Sequence, residues 1–204
     1  IPMAGIGSRL RPHTLTVPKP LVPVAGKAIV QRLVEDIAKV VNEPLNEIAF
    51  VIGPNEQFFG KEVQGHLLDV AKSLGAKGSI NIQHEALGTA HAIYMAKQAL
   101  SGNVIVAFAD TLFRADFILD ASVDGTIWVK EVEDPRAFGV VQLDNDGIIE
   151  DFVEKPENPK SNLAIIGIYY FKDGNALKNE IEHLLDNDIR EKGEYQLTNA
   201  LDSL

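Results

Sequence analysis

Residues 5–27 read GIGSRLRPHTLTVPKPLVPVAGK, a run that joins paired glycines to closely spaced prolines and cationic side chains without a single carboxylate. The first acidic residue of the chain is Glu35, and five Lys or Arg side chains precede it. Because the whole chain has a formal net charge of −10, the remainder carries −15. Backbone that a ligand can approach closely, next to fixed positive charge, is what a polyphosphate requires. The run therefore predicts a phosphate-binding loop.

Two common phosphate loops are excluded by this run. A Walker loop needs G-x-x-x-x-G-K-[ST], which the run does not contain. The dinucleotide fingerprint needs a third glycine where Leu10 stands, and an acidic residue about 20 positions further on, where this stretch has none. A third kind of phosphate site is therefore indicated.

The order of the whole string, G-x-G-x-R-L-x-P-x-T followed by P-K-P-L-x-P-V, is more specific than the glycines alone. It resembles the sugar-1-phosphate nucleotidylyltransferases, the enzymes that make nucleotide-sugars such as dTDP-glucose, UDP-glucose and GDP-mannose. The resemblance is strong over residues 4–27 and extends more loosely over nearly the whole chain. It implies an enzyme whose partners are a nucleoside triphosphate and a sugar-1-phosphate.

Composition fits a single enzyme domain over residues 1–204. With 46% hydrophobic and 24% charged residues, the chain can bury one substantial core. No apolar run approaches the ~20 residues of a membrane span, and no secretory leader is visible. The chain has no cysteine, which fits a cytoplasmic protein, and its pI of about 4.9 argues against a nucleic acid polymer as partner. Self-association into a homo-oligomer is left open.

Apolar periodicity predicts alternating strands and helices in the first half. Buried parallel strands are expected at 1–4, 48–52, 80–83 and 104–108, with helices near 28–41, 57–74 and 88–100 between them. In such a βαβ series, ligands bind at the carboxyl ends of the strands. We therefore expect the nucleotide-binding half to span residues 1–110.

The second half, residues 111–204, is expected to bind the sugar-phosphate. The turn sequence Asp144-Asn145-Asp146-Gly147 predicts a hairpin between strands 140–143 and 148–153. Further strands are expected at 126–132 and 163–171, and a helix near 174–190. The resulting fold class is α/β, a Rossmann-like three-layer α/β/α arrangement with a mostly parallel mixed sheet and an inserted β-hairpin.

The reaction that the resemblance implies is attack of a sugar-1-phosphate oxygen on the α-phosphorus of the triphosphate, with release of pyrophosphate. No covalent intermediate is needed, so the protein has to hold two polyanions in line and stabilise the added charge. The resemblance assigns Arg9 to transition-state stabilisation, because a guanidinium can bind two phosphate oxygens at once. It assigns Lys19 and Lys155 as point charges on phosphate, while Arg11 and Lys27 supply nearby charge.

A Mg²⁺ ion is the implied cofactor. Asp110 follows the predicted strand 104–108, and a carboxylate at a strand end suits a hard cation. The family usually shows Gly-Asp-Asn there, where this chain has Ala109-Asp110-Thr111. The tail 193–199 resembles the closing motif, whose last position is usually an aspartate that completes the metal site. Here that position is Asn199. Its amide oxygen can still bind Mg²⁺, but an asparagine in place of the aspartate leaves the site with one negative charge fewer.

The resemblance also implies two sets of substrate contacts. In the base-reading segment 83–92, a glutamine amide can pair with a base edge, and a glycine lets the base approach the backbone. The nucleotide-binding set is Ala4, Gly5, Gly7, Gln83, Gly88 and Thr89. The sugar-phosphate set comprises Gly139, Glu154, Lys155, Asn162 and Tyr169.

Three functions remain open at this stage. A glutamine followed five residues later by glycine favours a pyrimidine triphosphate, dTTP or UTP. The Leu-Gly-Thr-Ala string at 87–90 also resembles guanylyltransferases, which use GTP and mannose-1-phosphate. The substitutions at 109, 111 and 199 are compatible with a nucleotide-sugar-binding regulatory subunit that is catalytically weak.

Replacing Arg9 tests the glycine loop directly. We expect Arg9→Ala to lower kcat for pyrophosphate release by about 10²-fold or more, because charge is lost where the transition state needs it. Steady-state kinetics with both substrates give the result, and Arg11→Ala is the matched variant. A normal kcat with a raised KM would make Arg9 an ordinary binding contact.

Overall fold

Seven strands longer than three residues and four longer helices form where the sequence patterns place them. The computed structural model describes residues 1–5, 17–114 and 116–204. Over these residues the strands are β1 (Pro23–Val24), β2 (Lys27–Ala28), β3 (Glu47–Ile52), β4 (Lys77–Ile82), β5 (Val104–Ala107), β6 (Gly125–Glu131), β7 (Gly139–Leu143), β8 (Ile149–Glu154) and β9 (Leu163–Phe171). The α-helices are α1 (Ile29–Val41), α2 (Glu56–Phe59), α3 (Lys61–Ser73), α4 (Thr89–Met95), α5 (Gly174–Asp186) and α6 (Leu197–Leu201), and 3₁₀ turns occupy Lys19–Leu21 and Lys97–Ala99.

The predicted α/β class with a mixed sheet and an inserted hairpin is confirmed. Differences occur at helix ends: the helix expected at 57–74 is divided into α2 and α3 at Gly60, where a Cβ would lie 2.8 Å from the Glu56 carbonyl oxygen. The helix expected at 88–100 ends at Met95. Neither the β1–β2 hairpin nor α6 was predicted. Among the described helices, none has the length and apolar character needed to cross a lipid bilayer.

The chain forms two compact units that interleave along the sequence. The first comprises Ile1–Ala86, Met95–Ala99 and Ala107–Ala121, and the second comprises Leu87–Tyr94, Leu100–Val106 and Ser122–Leu204. The assignment of nucleotide and sugar-phosphate binding to residues 1–110 and 111–204 stays a prediction.

Parallel pairing organises the first unit. Strands β3 and β4 pair in parallel from Glu47–Lys77 to Ile52–Ile82, and α3 packs on both. On the other side of β3, the Met3 N–H donates to the Val51 carbonyl oxygen at 2.8 Å, and the Ala109 N–H donates to the Pro2 carbonyl oxygen at 3.2 Å. The segment that leads into the glycine loop therefore lies directly beside the segment that leads into Asp110.

Helix α1 fixes the proline-rich segment of the first unit. Its buried face carries six apolar side chains at helical spacing, and the helix contacts the 3₁₀ turn Lys19–Leu21 and strand β2. Arg32 donates from Nε to the Val24 carbonyl oxygen at 2.6 Å and from Nη2 to that of Ala25 at 2.8 Å. Lys27 pairs with Glu35 at 2.8 Å. These polar contacts attach the β1–β2 hairpin to the helix. The buried residues of α1 are Ile29, Val30, Leu33, Val34, Ile37 and Val40.

The second unit contains a five-stranded sheet in the order β5-β9-β7-β8, with β6 also paired to β9. The β6–β9, β7–β8 and β7–β9 pairs are antiparallel. The predicted β7–β8 hairpin is confirmed, and the Asp144 carboxylate holds its turn by accepting from the N–H groups of Asp146 and Ile148. Helix α5 begins at an Asp173 cap, whose carboxylate accepts two N–H bonds. It packs on α6, which in turn contacts β8.

Candidate active site

Lys19 and Asp110 meet in the first unit although 91 residues separate them. Lys19 Nζ lies 3.1 Å from Asp110 Oδ2, and the two side chains are 26% and 59% exposed. The 3₁₀ turn holds Lys19, since the Leu21 N–H donates to the Pro18 carbonyl oxygen at 2.9 Å. The structure thus brings together the predicted phosphate-binding lysine and the predicted metal-binding aspartate. An exposed ion pair of this kind exchanges readily for a phosphate on the lysine and a cation on the carboxylate.

Other predicted residues of the first unit differ in accessibility. A Cβ at Gly5, directly after Ala4, would meet no atom of the described residues within 4 Å. Gln83 follows β4, its N–H donates to the Ile52 carbonyl oxygen at 2.8 Å, and it is 7% exposed. Lys27 is paired with Glu35, which gives this cation a structural role. Gly7, Arg9 and Arg11 lie outside the described residues.

Gly88 and Thr89 belong to the second unit, where they hold the tail that contains α6. Gly88 has φ +117°, and a Cβ there would overlap the backbone of Tyr195. The Tyr195 N–H donates to the Leu87 carbonyl oxygen at 2.8 Å, and the Ala90 N–H donates to the Tyr195 carbonyl oxygen at 2.9 Å. The close approach of these two backbones explains the glycine without a ligand. The nucleotide contact assigned to Gly88 stays a prediction.

The Thr89 hydroxyl extends this attachment to α6. Thr89 Oγ1 accepts from the N–H of Leu197, the first residue of α6, at 2.9 Å. The hydroxyl also donates to Gln196 Oε1 at 3.3 Å. Because it satisfies an N–H that the helix itself cannot, Thr89 fixes where α6 begins. The nucleotide contact assigned to Thr89 also stays a prediction.

A charged network anchors the Tyr195 side chain. The Tyr195 hydroxyl donates to Asp188 Oδ1 at 2.6 Å, and Arg190 donates to the same carboxylate at 2.6 Å. The Arg190 guanidinium also lies 4.4 Å from the centroid of the Tyr195 ring. The Tyr195 hydroxyl and then Arg190 lower the pKa of Asp188 below its ordinary value, so this carboxylate stays ionised. Tyr195 is therefore held at both its backbone and its side chain.

Gly139, Glu154 and Lys155 meet where β7 and β8 pair. Gly139 and Glu154 are register partners, and a Cβ at Gly139 would lie 2.9 Å from Glu154 Oε2. Lys155 Nζ lies 3.1 Å from Glu154 Oε1. Tyr169 is buried, and burial, followed by the Glu154 carboxylate, raises the pKa of its phenol. Four of the five predicted sugar-phosphate residues therefore share one neighbourhood.

Asn162, the fifth predicted residue, has a different neighbour. Its Nδ2 donates to Glu131 Oε1 at 2.8 Å. It lines an open cleft of about 650 Å³ with Glu131, Glu133, Gln142, Lys160 and Ser161. The hydrogen bond of Asn162 is thus with Glu131 rather than with Glu154. The role of Asn162 in sugar binding stays a prediction.

Lys155 has a strained backbone. Its φ is +47°, in the left-handed region that costs a residue other than glycine about 1 kcal/mol or more. Its N–H donates to the Phe138 carbonyl oxygen at 3.0 Å, so this conformation closes the end of the β7–β8 pair. Glycine would adopt this conformation without strain.

Oxygen donors for a cation are present, but not as an acidic cluster. Within residues 1–5, 17–114 and 116–204, no three or more Asp, Glu, His or Cys side chains form a group suited to a metal ion. Asp110 is an exposed carboxylate in the first unit. Asn199, in the second, has a buried Oδ1 with no hydrogen-bond partner in the described part of the chain. These donors fit Mg²⁺ chemically, and the metal assignment stays a prediction.

Thr198 is the residue that sequence reasoning missed. Its Oγ1 is also buried without a partner, and its methyl carbon Cγ2 lies 3.9 Å from the Cβ position of Gly139. Its place in the tail motif, directly before Asn199, was the only available signal in the sequence.

Comparison with known proteins identifies the family. A model described as Nucleotidyl transferase matches residues 1–198. The chain is 33% identical over 207 residues to the low-salt glycan biosynthesis nucleotidyltransferase Agl11 of Haloferax volcanii, covering 98% of this chain and 55% of that protein. It is 35% identical over 201 residues to the bifunctional protein GlmU of Methanocaldococcus jannaschii, covering 98% and 45%. The chain thus spans about half the length of these relatives.

Two further comparisons concern base choice and fold. The catalytic subunit beta of mannose-1-phosphate guanylyltransferase from Drosophila pseudoobscura is 34% identical over 178 residues, covering 83% of this chain and 46% of that protein. A UDP-glucose pyrophosphorylase solved with UDP-glucose superposes with a TM-score of 0.76 at 24% identity, covering 99% of this chain and 84% of that one. The superposition confirms the Rossmann-like α/β fold.

Lys155 and Lys192 share a left-handed backbone conformation, and comparing the glycine variants of the two tests whether Lys155 binds substrate. Lys192 has φ +52° in the turn of an isolated bridge between Glu191 and Glu194. Both Lys155→Gly and Lys192→Gly relieve left-handed strain, so we expect neither to lower the free energy of unfolding and each to raise it by up to ~1 kcal/mol.

The kinetics should separate the two variants. We expect Lys155→Gly to raise KM for the sugar-1-phosphate about 10-fold or more, since a hydrogen bond to a charged group contributes ~1.5–3 kcal/mol, and Lys192→Gly to leave it unchanged. Thermal denaturation and substrate titrations measure both effects. Equal kinetics in the two variants would exclude Lys155 from the substrate site.

Proposed function

The chain belongs to the nucleotidyl transferase family, and from that premise we propose that it transfers a nucleotidyl group from a nucleoside triphosphate to a sugar-1-phosphate and releases pyrophosphate. The contact between Lys19 and Asp110 at 3.1 Å carries the proposal. It joins a cation for phosphate to a carboxylate for a metal ion, beside the segment that leads into the glycine loop.

The nucleotide end of the reaction is assigned to the first unit. Lys19 binds phosphate oxygens once the triphosphate replaces Asp110 as its partner, and the open backbone at Gly5 lets phosphate approach. Asp110 would hold Mg²⁺. The Asn199 amide oxygen, in the second unit, is proposed separately as a metal ligand. Mg²⁺ bound there would neutralise charge on the phosphates and favour attack at the α-phosphorus. Arg9 is proposed to stabilise the charge that develops on the phosphorus oxygens.

The sugar-phosphate end is assigned to the neighbourhood of Glu154. The Lys155 ammonium lies beside the Glu154 carboxylate, so one group can bind the phosphate while the other accepts from a sugar hydroxyl. Gly139 leaves the space next to Glu154 Oε2 without a side chain. Tyr169 is buried beside them, and burial followed by the Glu154 carboxylate raises the pKa of its phenol.

The base is proposed to be a pyrimidine, with dTTP or UTP as substrate. The support is Gln83, which follows β4 and is one of two buried polar side chains among the described residues. Its amide can donate to and accept from the O4 and N3 edge of a pyrimidine. The guanylyltransferase relative supports GTP as the second candidate.

A substrate matrix tests the proposal and the base together. Pyrophosphate release is measured for dTTP, UTP, GTP and ATP with several sugar-1-phosphates, and each substrate is also omitted in turn. We expect release only when both substrates are present, and highest kcat/KM with dTTP or UTP. No release with any pair would contradict the proposed transfer, whereas highest activity with GTP would contradict the pyrimidine assignment alone.

Removing the Gln83 amide should change base selectivity. We expect Gln83→Met, which keeps the buried volume, to lower kcat/KM for dTTP or UTP by one to two decades, because two hydrogen bonds of about 1–3 kcal/mol in total are lost. Activity with purine triphosphates should change little. The control is Gln142→Met, since that exposed amide bonds Asp151 at 2.9 Å. Equal losses of kcat/KM with all four triphosphates would show that Gln83 supports the fold and does not select the base.

The metal assignment is tested by restoring the usual carboxylate. We expect Asn199→Asp to reach half-maximal activity at a lower Mg²⁺ concentration, because the added negative charge strengthens cation binding. Mg²⁺ titrations of initial rate give the comparison, with Asn187→Asp in the exposed turn after α5 as control. A requirement equal to or higher than that of the unchanged chain would exclude position 199 from the metal site.

A further inference from the structure

Thr198 carries a polar atom that the fold itself does not use. The residue is 8% exposed, and its Oγ1 has no hydrogen-bond partner among the described residues. A hydroxyl removed from water without a partner destabilises the folded state. A valine at this position of α6 would have nearly the same shape and would bury no unpaired hydroxyl. The hydroxyl therefore requires an explanation other than folding.

The surroundings of Thr198 indicate what such a hydroxyl can contact. At Gly139 an added Cβ would meet Glu154 Oε2 at 2.9 Å, Ile165 Cδ1 at 3.4 Å and Thr198 Cγ2 at 3.9 Å. Thr198 Cγ2 and Glu154 Oε2 therefore lie within 4 Å of the same point, the Cβ position of Gly139. Oγ1 is two bonds away from Cγ2, so the Thr198 hydroxyl lies close to this point.

We propose that Thr198 Oγ1 hydrogen-bonds a ring hydroxyl of the sugar-1-phosphate and so helps to determine which sugar is accepted. This inference rests on the proposed function. An ionised Glu154 only accepts hydrogen bonds, whereas a threonine hydroxyl can also donate one. One sugar hydroxyl can therefore donate to Glu154 and accept from Thr198. A sugar that lacks this hydroxyl leaves both groups buried and unpaired, which is the strongest way for a polar site to reject an analogue.

The fold holds Thr198 in place through residues that the sequence assigned to nucleotide binding. Thr89 Oγ1 accepts from the Leu197 N–H at 2.9 Å, one residue before Thr198. The backbone of Tyr195 is bonded on both sides, to Leu87 and Ala90. Because the start of α6 is fixed at three points, Thr198 is presented at a defined position rather than on a free tail.

Paired substitutions separate a sugar contact from a structural role. Thr198→Val removes the hydroxyl and keeps the shape, and Thr198→Ser keeps the hydroxyl. We expect Thr198→Val to have an equal or higher melting temperature and a KM for the sugar-1-phosphate raised about 10-fold or more, with KM for the triphosphate unchanged. Thr198→Ser should stay within about 3-fold of the unchanged chain. Thr126→Val, in β6 outside this neighbourhood, is the control.

Deoxy analogues of the preferred sugar-1-phosphate identify the hydroxyl. For the analogue that lacks it, Thr198→Val and the unchanged chain should have the same kcat/KM, whereas they should differ for every other analogue. A Thr198→Val variant with unaltered KM, or one with a lowered melting temperature, would overturn the inference while the transfer itself is still observed. Calorimetric titration of sugar-1-phosphate into both proteins gives a readout that does not depend on turnover. If the unchanged chain binds and turns over no sugar-1-phosphate, the proposed function fails before this comparison is reached.

Discussion

The backbone pairing of Tyr195 with the 87–90 segment is the constraint on which the second unit depends. Two hydrogen bonds, to Leu87 and from Ala90, join chain segments more than 100 residues apart, and they require a glycine at position 88. A third bond from Thr89 fixes the first residue of α6. Without them, a helix of five residues would not be stable, because its nucleation cost exceeds what so short a helix recovers. The positions of Thr198 and Asn199 follow from this attachment.

Electrostatics divides the N-terminal cations into two groups. Lys27 and Arg32 are used to attach the β1–β2 hairpin to α1, and their charges are matched by a carboxylate and by backbone carbonyls. Over the part of the chain that the structure describes, Lys19 pairs with an exposed aspartate, which water and ligands can replace at little cost. Lys27 and Arg32 therefore serve the fold, although they belong to the same cationic stretch as Lys19. Lys19 can exchange its partner for a ligand, and it lies beside Asp110, the predicted metal-binding residue.

The sequence allowed the longer elements to be predicted because their burial leaves a period in the chain. Strands β3 and β9 are nearly continuous apolar runs, and α1 repeats its apolar residues at helical spacing. Helix α6 has too few residues to show a period, and its start depends on the hydroxyl of Thr89, the first residue of α4. The break at Gly60 depends on the Glu56 carbonyl. The lack of a partner at Thr198 and the positive φ of Lys155 are tertiary properties, so no local pattern could have indicated them.

Two departures from good local structure occur around one carboxylate. Lys155, the residue after Glu154, is a lysine where glycine would be less strained, and Thr198, across the gap at Gly139, has a buried hydroxyl without a partner. Asp188 and Lys192 of the second unit also have a positive φ, so backbone strain alone does not mark a site. Strained residues and unsatisfied polar atoms do, however, occur often at functional sites. Lys155 and Thr198 are distinguished by a shared neighbour, because the Lys155 ammonium lies 3.1 Å from Glu154 Oε1 and Thr198 Cγ2 lies 3.9 Å from the Cβ position of Gly139, the register partner of Glu154.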